Sequence, residues 1–222
     1  MNKPKVDDTD ARLQEYSEGE LIVTDPPYNI GYKYSGEFTD RIDDYPALFM
    51  PMRGHKVVMI HYMDQIIKDI VPVLGSPEKI VAWTSYSNTP RSWRSVCWWN
   101  CSPDMSRVRV PYRNPEDARI KELTKRTGGR ALPDVWHIEQ VKNVSAEKVQ
   151  GYTNQIPREV IYNILKTTAS TEDVIVDPFS GTGTTAKVAQ ELGMSFRVSD
   201  VNPTAQELTR QRLAQSVITL TA

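Results

Sequence analysis

Two short stretches hold the residue types that do chemistry. Asp25-Pro26-Pro27-Tyr28 sets a carboxylate, two prolines and a phenol one residue, Thr24, after the apolar run Leu21-Ile22-Val23. Asp177-Pro178-Phe179-Ser180-Gly181-Thr182-Gly183-Thr184-Thr185 follows Val174-Ile175-Val176 directly. Each apolar run predicts a short buried strand. Each is ended by an acid and a proline, because proline cannot extend a central ladder. Gly181 and Gly183 allow φ > 0 and let a ligand approach the backbone. A helix then runs to Leu192 and stops at Gly193. The next strand, 195–199, ends at Asp200, about twenty residues past the glycines, where a second strand tip reaches ribose hydroxyls. Together these residues predict a nucleoside-cofactor site at the strand C-termini of an open α/β sheet.

The run Gly181-Thr182-Gly183-Thr184-Thr185-Ala186 fits the G-x-G-x-x-A dinucleotide fingerprint. Two features point away from NAD. Asp-Pro-Phe precedes the glycines, and only the last quarter of the chain follows them. An NAD-dependent oxidoreductase also leaves Asp25-Pro26-Pro27-Tyr28 without a role.

Asp25-Pro26-Pro27-Tyr28 resembles the catalytic motif of the S-adenosylmethionine-dependent DNA amino-methyltransferases, and 177–185 resembles their cofactor motif. The resemblance covers residues 21–62 and about 133–214. The catalytic motif comes first, as in the circularly permuted β group of that family. Protein-glutamine and many RNA methyltransferases carry an Asn-first motif placed after the cofactor motif. The resemblance implies a Rossmann-like class I methyltransferase fold of α/β type, circularly permuted. It implies S-adenosylmethionine as cofactor, double-stranded DNA as partner, and adenine N6 of a flipped base as acceptor. An exocyclic amino nitrogen is a poor nucleophile because its lone pair is delocalised into the ring. Asp25 and the Pro26 carbonyl would accept its two N–H bonds, and Tyr28 would stack on the base. Pro27 completes the rigid turn. The implied cofactor residues are Asp177, Pro178, Phe179, Ser180, Gly181, Gly183, Thr184, Thr185 and Asp200, with Phe179 near the adenine and Asp200 on the ribose. Tyr152-Thr153-Asn154-Gln155-Ile156-Pro157 aligns with the family's His-x-x-Gln-Lys-Pro, so Gln155 and Pro157 join the set, while Tyr152 and Ile156 depart from it. One alternative is cytosine N4 methylation, although N4 enzymes more often place serine where Asp25 stands. Another is a DNA-binding protein that retains the cofactor pocket without activity, motivated by Tyr152 and Ile156.

The elements that must position these groups follow from apolar patterning. Residues 56–60 and 79–83 read as strands, with His61-Tyr62 at the tip of the first. Helices are expected near 10–18, 43–53 and 63–74. Another begins at Pro157 with Val160, Ile161, Ile164 and Leu165 inward. The last runs over 203–214 behind the Asn202-Pro203 cap, with Leu208 and Leu213 inward. Residues 217–220 predict a final strand, and residues 1–20 show no strand. The stretch 31–55, with Tyr32, Tyr34, Gly36, Asp40, Asp43, Asp44 and Tyr45, is expected to form a mobile cover.

At 222 residues the chain fits one methyltransferase domain, with 84–132 as an inserted recognition region over the catalytic edge. That region holds ten basic and four acidic residues, a net +6 within a chain of net −1. It also contains Tyr86, Trp93, Trp98, Trp99 and Tyr112. Basic residues mixed with aromatics suit phosphate contact and base stacking. Arg91, Arg94, Arg107, Arg109, Arg113, Lys125 and Arg126 are the expected DNA contacts. Cys97 and Cys101 lack two further ligands, so no metal is expected. No apolar run is long enough to span a membrane, no signal peptide is apparent, and a cytoplasmic setting in a bacterial or phage-infected cell is expected. A homodimer is compatible with the sequence, and no obligatory protein partner is evident.

Overall fold

The computed structural model describes residues 5–7, 10–32, 39–86 and 90–218. Its main sheet uses β1 (Lys5–Asp7), β2 (Glu20–Thr24), β3 (Lys56–His61), β4 (Lys79–Thr84) and β5 (Trp93–Trp99). A separate two-stranded ribbon joins β6 (Arg109–Val110) to β7 (Arg130–Ala131). The main sheet is completed by β8 (Val135–His137), β9 (Val174–Asp177) and β10 (Ser195–Ser199), in the order β1-β10-β9-β2-β3-β5-β4-β8. All neighbours are parallel except β5, which runs antiparallel to both β3 and β4. The chain order reverses beside β9, with β10 on one side and β2 on the other. In open α/β sheets such a switch point leaves a crevice at the strand C-termini.

Helices cover both faces, which is why the central strands are apolar throughout. Side chains alternate between the faces with the period of two that a strand imposes. Leu21, Val23, Val58, Ile60, Val96 and Trp98 face one core with α4 (Arg158–Thr168) and α5 (Thr184–Glu191). Ile22, Val57, Met59, Cys97, Trp99 and Val176 face the other. There they meet a 3-10 helix, Tyr45–Met52, and a helical stretch of three parts. Those parts are α1 (Met63–Gln65), a π turn at Ile66–Ile70, and α2 (Val71–Leu74). The remaining helices are α3 (Ala118–Thr127), in the outlying ribbon region, and α6 (Pro203–Ile218). Asn202 caps α6 by accepting the Thr204 N–H at 2.9 Å, as its sequence predicts. The inward face of α6 is built on Ala205, Gln206 and Thr209, with Leu213 only partly buried against the core.

Several expectations are corrected. A strand does lie in the first twenty residues: β1 pairs with β10. Of the expected 10–18 helix only a 3-10 turn forms, Ala11–Leu13, capped by Asp10. The 43–53 segment is 3-10 rather than α because Pro46 opens it and Pro51 interrupts it. Val217 and Ile218 continue α6 instead of starting a strand; Thr219 and Leu220 lie outside the described residues. The 31–55 cover is partly tied down. Asn29 Oδ1 accepts the Ile42 N–H at 3.0 Å, and Asp40 Oδ2 accepts the Ile30 N–H at 3.1 Å. Tyr34 and Gly36 lie outside the described residues.

The largest correction concerns 84–132. Its first part is not an insertion, because β5 sits inside the main sheet and buries Trp98 and Trp99 completely or nearly so. The antiparallel direction of β5 then decides where the rest goes. Ser95 pairs with His61 at the catalytic end, whereas Trp99 pairs with Val57 at the opposite end. The chain therefore leaves the sheet where the parallel strands begin. Asn100 there donates to the His55 carbonyl, and Arg107 to the Ala169 carbonyl just ahead of β9. Residues 101–131 pack at that far edge, not over the catalytic one.

Candidate active site

The C-terminal tips of β2, β9, β10 and β3 open onto a cavity of about 740 Å³. Asp25, Pro26, Pro27 and Tyr28 line it from β2, and Asp177, Pro178, Phe179, Ser180 and Gly181 from β9. Thr182, Thr184, Thr185 and Asp200 complete the opposite wall. Two motifs some 150 residues apart in the chain thus share one chamber, because β2 and β9 are adjacent and parallel.

Asp177 organises the junction. Its Oδ1 accepts from the Thr24 hydroxyl at 2.9 Å and the Phe179 N–H at 3.1 Å, and its Oδ2 from the Thr185 hydroxyl at 2.6 Å. It is 3 % exposed. Burial pushes its carboxyl up to about 6, against the opposing pull of those three donors. Its carboxylate therefore holds the glycine turn to β2. Asp200 binds the turn from the other side, its Oδ2 accepting the Gly181 N–H at 2.8 Å and its Oδ1 the Asn202 N–H at 2.9 Å. Each oxygen of Asp200 keeps a lone pair that a hydroxyl could use.

The glycine turn is held by α6. Gly183 has φ +72°, and a Cβ there would stand 2.6 Å from Thr209 Cγ2. The Thr209 hydroxyl donates to the Gly181 carbonyl at 3.1 Å, and Arg212 to the Thr182 carbonyl and Thr184 Oγ1 at 3.2 and 3.0 Å. Gly183 itself is absent from the cavity wall, as is Pro157, which is buried and caps α4. Gln155 lines the wall, but both ends of its amide hold the backbone at Glu147 and Val149. Tyr152 packs against Gly181, within 3.5 Å of where a Cβ would project.

Asp25 is half-buried, and the Tyr28 hydroxyl donates to its Oδ1 at 2.5 Å. Burial pushes the Asp25 carboxyl up to about 7, against the pull of the Arg94 guanidinium and the Tyr28 hydroxyl. Arg94 stands 4.8 Å from the Trp83 ring, 5.5 Å from the Tyr28 ring and 5.8 Å from the Tyr62 ring. It is thus a cation held among three rings beside the catalytic-type loop, on the cavity wall. Arg91 lies over the Tyr62 ring at 4.4 Å and pairs with Asp64 through contacts of 2.8 and 3.2 Å. Of the seven expected DNA contacts, only these two line the cavity. Arg107, Arg109, Arg113, Lys125 and Arg126 belong to the far-edge segment.

Sequence reasoning missed Asp10, Ala11 and Arg12, which line the cavity beside Asn202; nothing in their local pattern marks them. It saw His61 only as a residue at a strand tip. The structure buries that histidine completely and places its ring 4.8 Å from Tyr28. Among the described residues no cluster of three metal-type ligands occurs, and no helix is long and apolar enough to cross a membrane.

The N6/N4 DNA methylase family model matches residues 81–211, more than half of the chain. Type II methyltransferase M1.MboII of Moraxella bovis is 33% identical over 113 residues, 43% of this chain and 42% of that protein. M.BglII of Bacillus subtilis is 24% identical over 88% of this chain and 63% of its own length. The chain therefore spans less than two thirds of either relative. M.ScaI of Streptomyces caespitosus is 27% identical over 78% of this chain and 68% of its length. Among solved structures, the PvuII DNA methyltransferase (cytosine-N4-specific) superposes with TM-score 0.66 over 95% of this chain and 86% of its own, at 14% identity. The M1.HpyAVI–SAM complex does so with TM-score 0.57 over 95% and 100%, at 16% identity. At such identities the superpositions speak to the fold, and they agree with a Rossmann-like sheet. With both motifs on one cavity and the family model spanning most of the sheet, the chain belongs to the N6/N4 family of S-adenosylmethionine-dependent DNA amino-methyltransferases.

Proposed function

We propose that this chain methylates an exocyclic amino group of a base in double-stranded DNA, with adenine N6 as the acceptor. The observation that supports this most is the convergence of Asp25, Pro26 and Tyr28 with the glycine turn and Asp200 on one cavity. Its volume falls within the range of ligand pockets, roughly 300–1,000 Å³. The residues fit S-adenosylmethionine. The Ser180 hydroxyl is buried without a partner, the Asp200 oxygens can accept ribose hydroxyls, and the turn leaves backbone close to the chamber. Asp200, Phe179 and Ser180 would hold that cofactor, which when bound supplies a methyl group already activated on a sulfonium.

The chain's own task is then positional. A flipped base would lie against Tyr28, whose ring is braced by His61 and Tyr62 at 4.8 and 4.7 Å. Asp25 and the Pro26 carbonyl would accept the two amino hydrogens and turn the nitrogen lone pair towards the donor side. This role requires Asp25 as the carboxylate, and Arg94 favours that state. Adenine is preferred over cytosine because Asp25 stands where the family's N4 enzymes more often carry serine. The test is Asp25→Ala. Turnover should be lost while cofactor affinity, read by titration calorimetry, stays within about threefold. Equal loss of both would refute the assignment of Asp25 to the acceptor.

A further inference from the structure

The catalytic-type loop is held from beneath by a hydrogen-bond line that reaches it through two buried side chains. Tyr45, 2 % exposed in the 45–52 helix, donates its hydroxyl proton to the Pro27 carbonyl. The same hydroxyl oxygen lies 2.6 Å from His61 Nε2. The other ring nitrogen of His61 fixes the direction of the line. The Tyr62 backbone N–H meets Nδ1 at 2.8 Å, and an N–H can only donate, so Nδ1 is the acceptor. The alternative contact of Nδ1, to the Tyr62 carbonyl, is longer at 3.3 Å. The imidazole proton is therefore on Nε2 and points at Tyr45. The order is Tyr62 N–H to His61, His61 to Tyr45, and Tyr45 to the Pro27 carbonyl, which the imidazole also reaches directly. Burial keeps the ring neutral by lowering its pKa to about 4. The Tyr28 ring rests on the same imidazole. One histidine on the rigid tip of β3 thus supports both sides of the residue pair that follows Pro26.

We propose that His61 and Tyr45 are positioning residues that set the orientation of the Pro26–Tyr28 backbone, and with it the acceptor pair for the amino group. This deepens the methyl-transfer reading and rests on it. Neither side chain needs to touch substrate. Pro26 and Pro27 fix φ but not ψ, so the carbonyl directions need an outside partner, and Tyr45 is that partner for Pro27.

The experiment compares Tyr45→Phe, His61→Gln and His61→Leu in the intact chain, after thermal melts confirm folding. Tyr45→Phe removes only the hydroxyl. Its kcat on DNA should fall tenfold or more, with KM and cofactor Kd within about twofold. The amides of Tyr28, Asn29 and Ile30 should exchange hydrogen faster. The Nε2 of glutamine can still donate to Tyr45, so His61→Gln should keep severalfold more turnover than His61→Leu. Wild-type kcat and unchanged exchange in Tyr45→Phe would overturn the proposal. So would equal losses in both His61 variants accompanied by loss of cofactor binding, which marks a general packing role. If the wild-type chain transfers no methyl group, the functional reading fails. The exchange rates then decide the positioning role alone, and unchanged protection would overturn it.

Discussion

Arg94 offers the sharpest perturbation of the site. Its guanidinium is held among Trp83, Tyr28 and Tyr62, and no ion pair with a carboxylate is made among the described residues. Its charge acts on Asp25, whose carboxyl burial has already raised to about 7. An opposite charge a few ångströms away typically moves a carboxyl by about 1–3 units. Arg94 is not in direct contact, so the lower end applies, and Arg94→Met should push Asp25 up by about one unit. Methionine keeps an apolar stem against the three rings. At pH 7 the wild-type carboxyl is about half ionised, whereas the variant's is about one-tenth ionised, a loss of about fivefold in active enzyme. Above about pH 9 both are ionised and the rates should converge. Single-turnover methyl transfer measured from pH 6 to 9.5 reads this as a rightward shift of the acid limb. A rate reduced by the same factor at every pH, or an acid limb that does not move, would show that Arg94 does not act through the charge of Asp25.

Three further outcomes follow from the same geometry. The folded pKa of Asp25 lies above its ordinary 3.8, so folding favours the protonated acid. Stability from this group is fully present below about pH 4 and is lost as pH rises to about 7. Asp25→Asn removes that titration, and its melting temperature should exceed wild type at pH 8 by several degrees, the equivalent of ~1–3 kcal/mol, with a smaller gap at pH 5. Gly183→Ala forces a Cβ to within 2.6 Å of Thr209 at φ +72°. It should cost ~1–3 kcal/mol in denaturant unfolding and weaken cofactor binding tenfold or more, and adding Thr209→Ala should recover only part, because the backbone strain remains. The triple change of Arg113, Lys125 and Arg126 to alanine, all at the far edge, should leave turnover on DNA within about twofold. A tenfold loss would mean that DNA reaches that edge.

Five strands of the sheet are legible in the sequence: β2, β3, β4 and β9 as short apolar runs and β10 as an apolar alternation, four of the five closed by an acid or a histidine tip. Two others are not. β1 has one apolar residue among three, and it is stable only because β10 pairs with it. β5 carries an arginine and a serine near its start, and its tryptophans and positive charge imitate a nucleic-acid surface. What a local pattern cannot show is direction. The antiparallel run of β5 carries the following thirty or so residues to the wrong end for catalysis, and the charge balance of 84–132 gives no hint of it. The acid and glycine motifs were legible because their spacing is set by the turn itself. The work of Asp177 was not, since its partners Thr24 and Thr185 come from two different segments. His61 was visible as a residue at a strand tip. Its link to Tyr45 depends on a 3-10 helix whose packing no periodicity reports.

The most direct test of the account is transfer of labelled methyl from S-adenosylmethionine to unmethylated double-stranded DNA, followed by digestion to nucleosides and mass spectrometry. The account predicts label in N6-methyladenine. Label in N4-methylcytosine would keep the site chemistry and refute the choice of base. Absence of label, from a protein that binds both DNA and S-adenosylmethionine, would contradict the claim that Asp25, Pro26 and Tyr28 form a working methyl-transfer site.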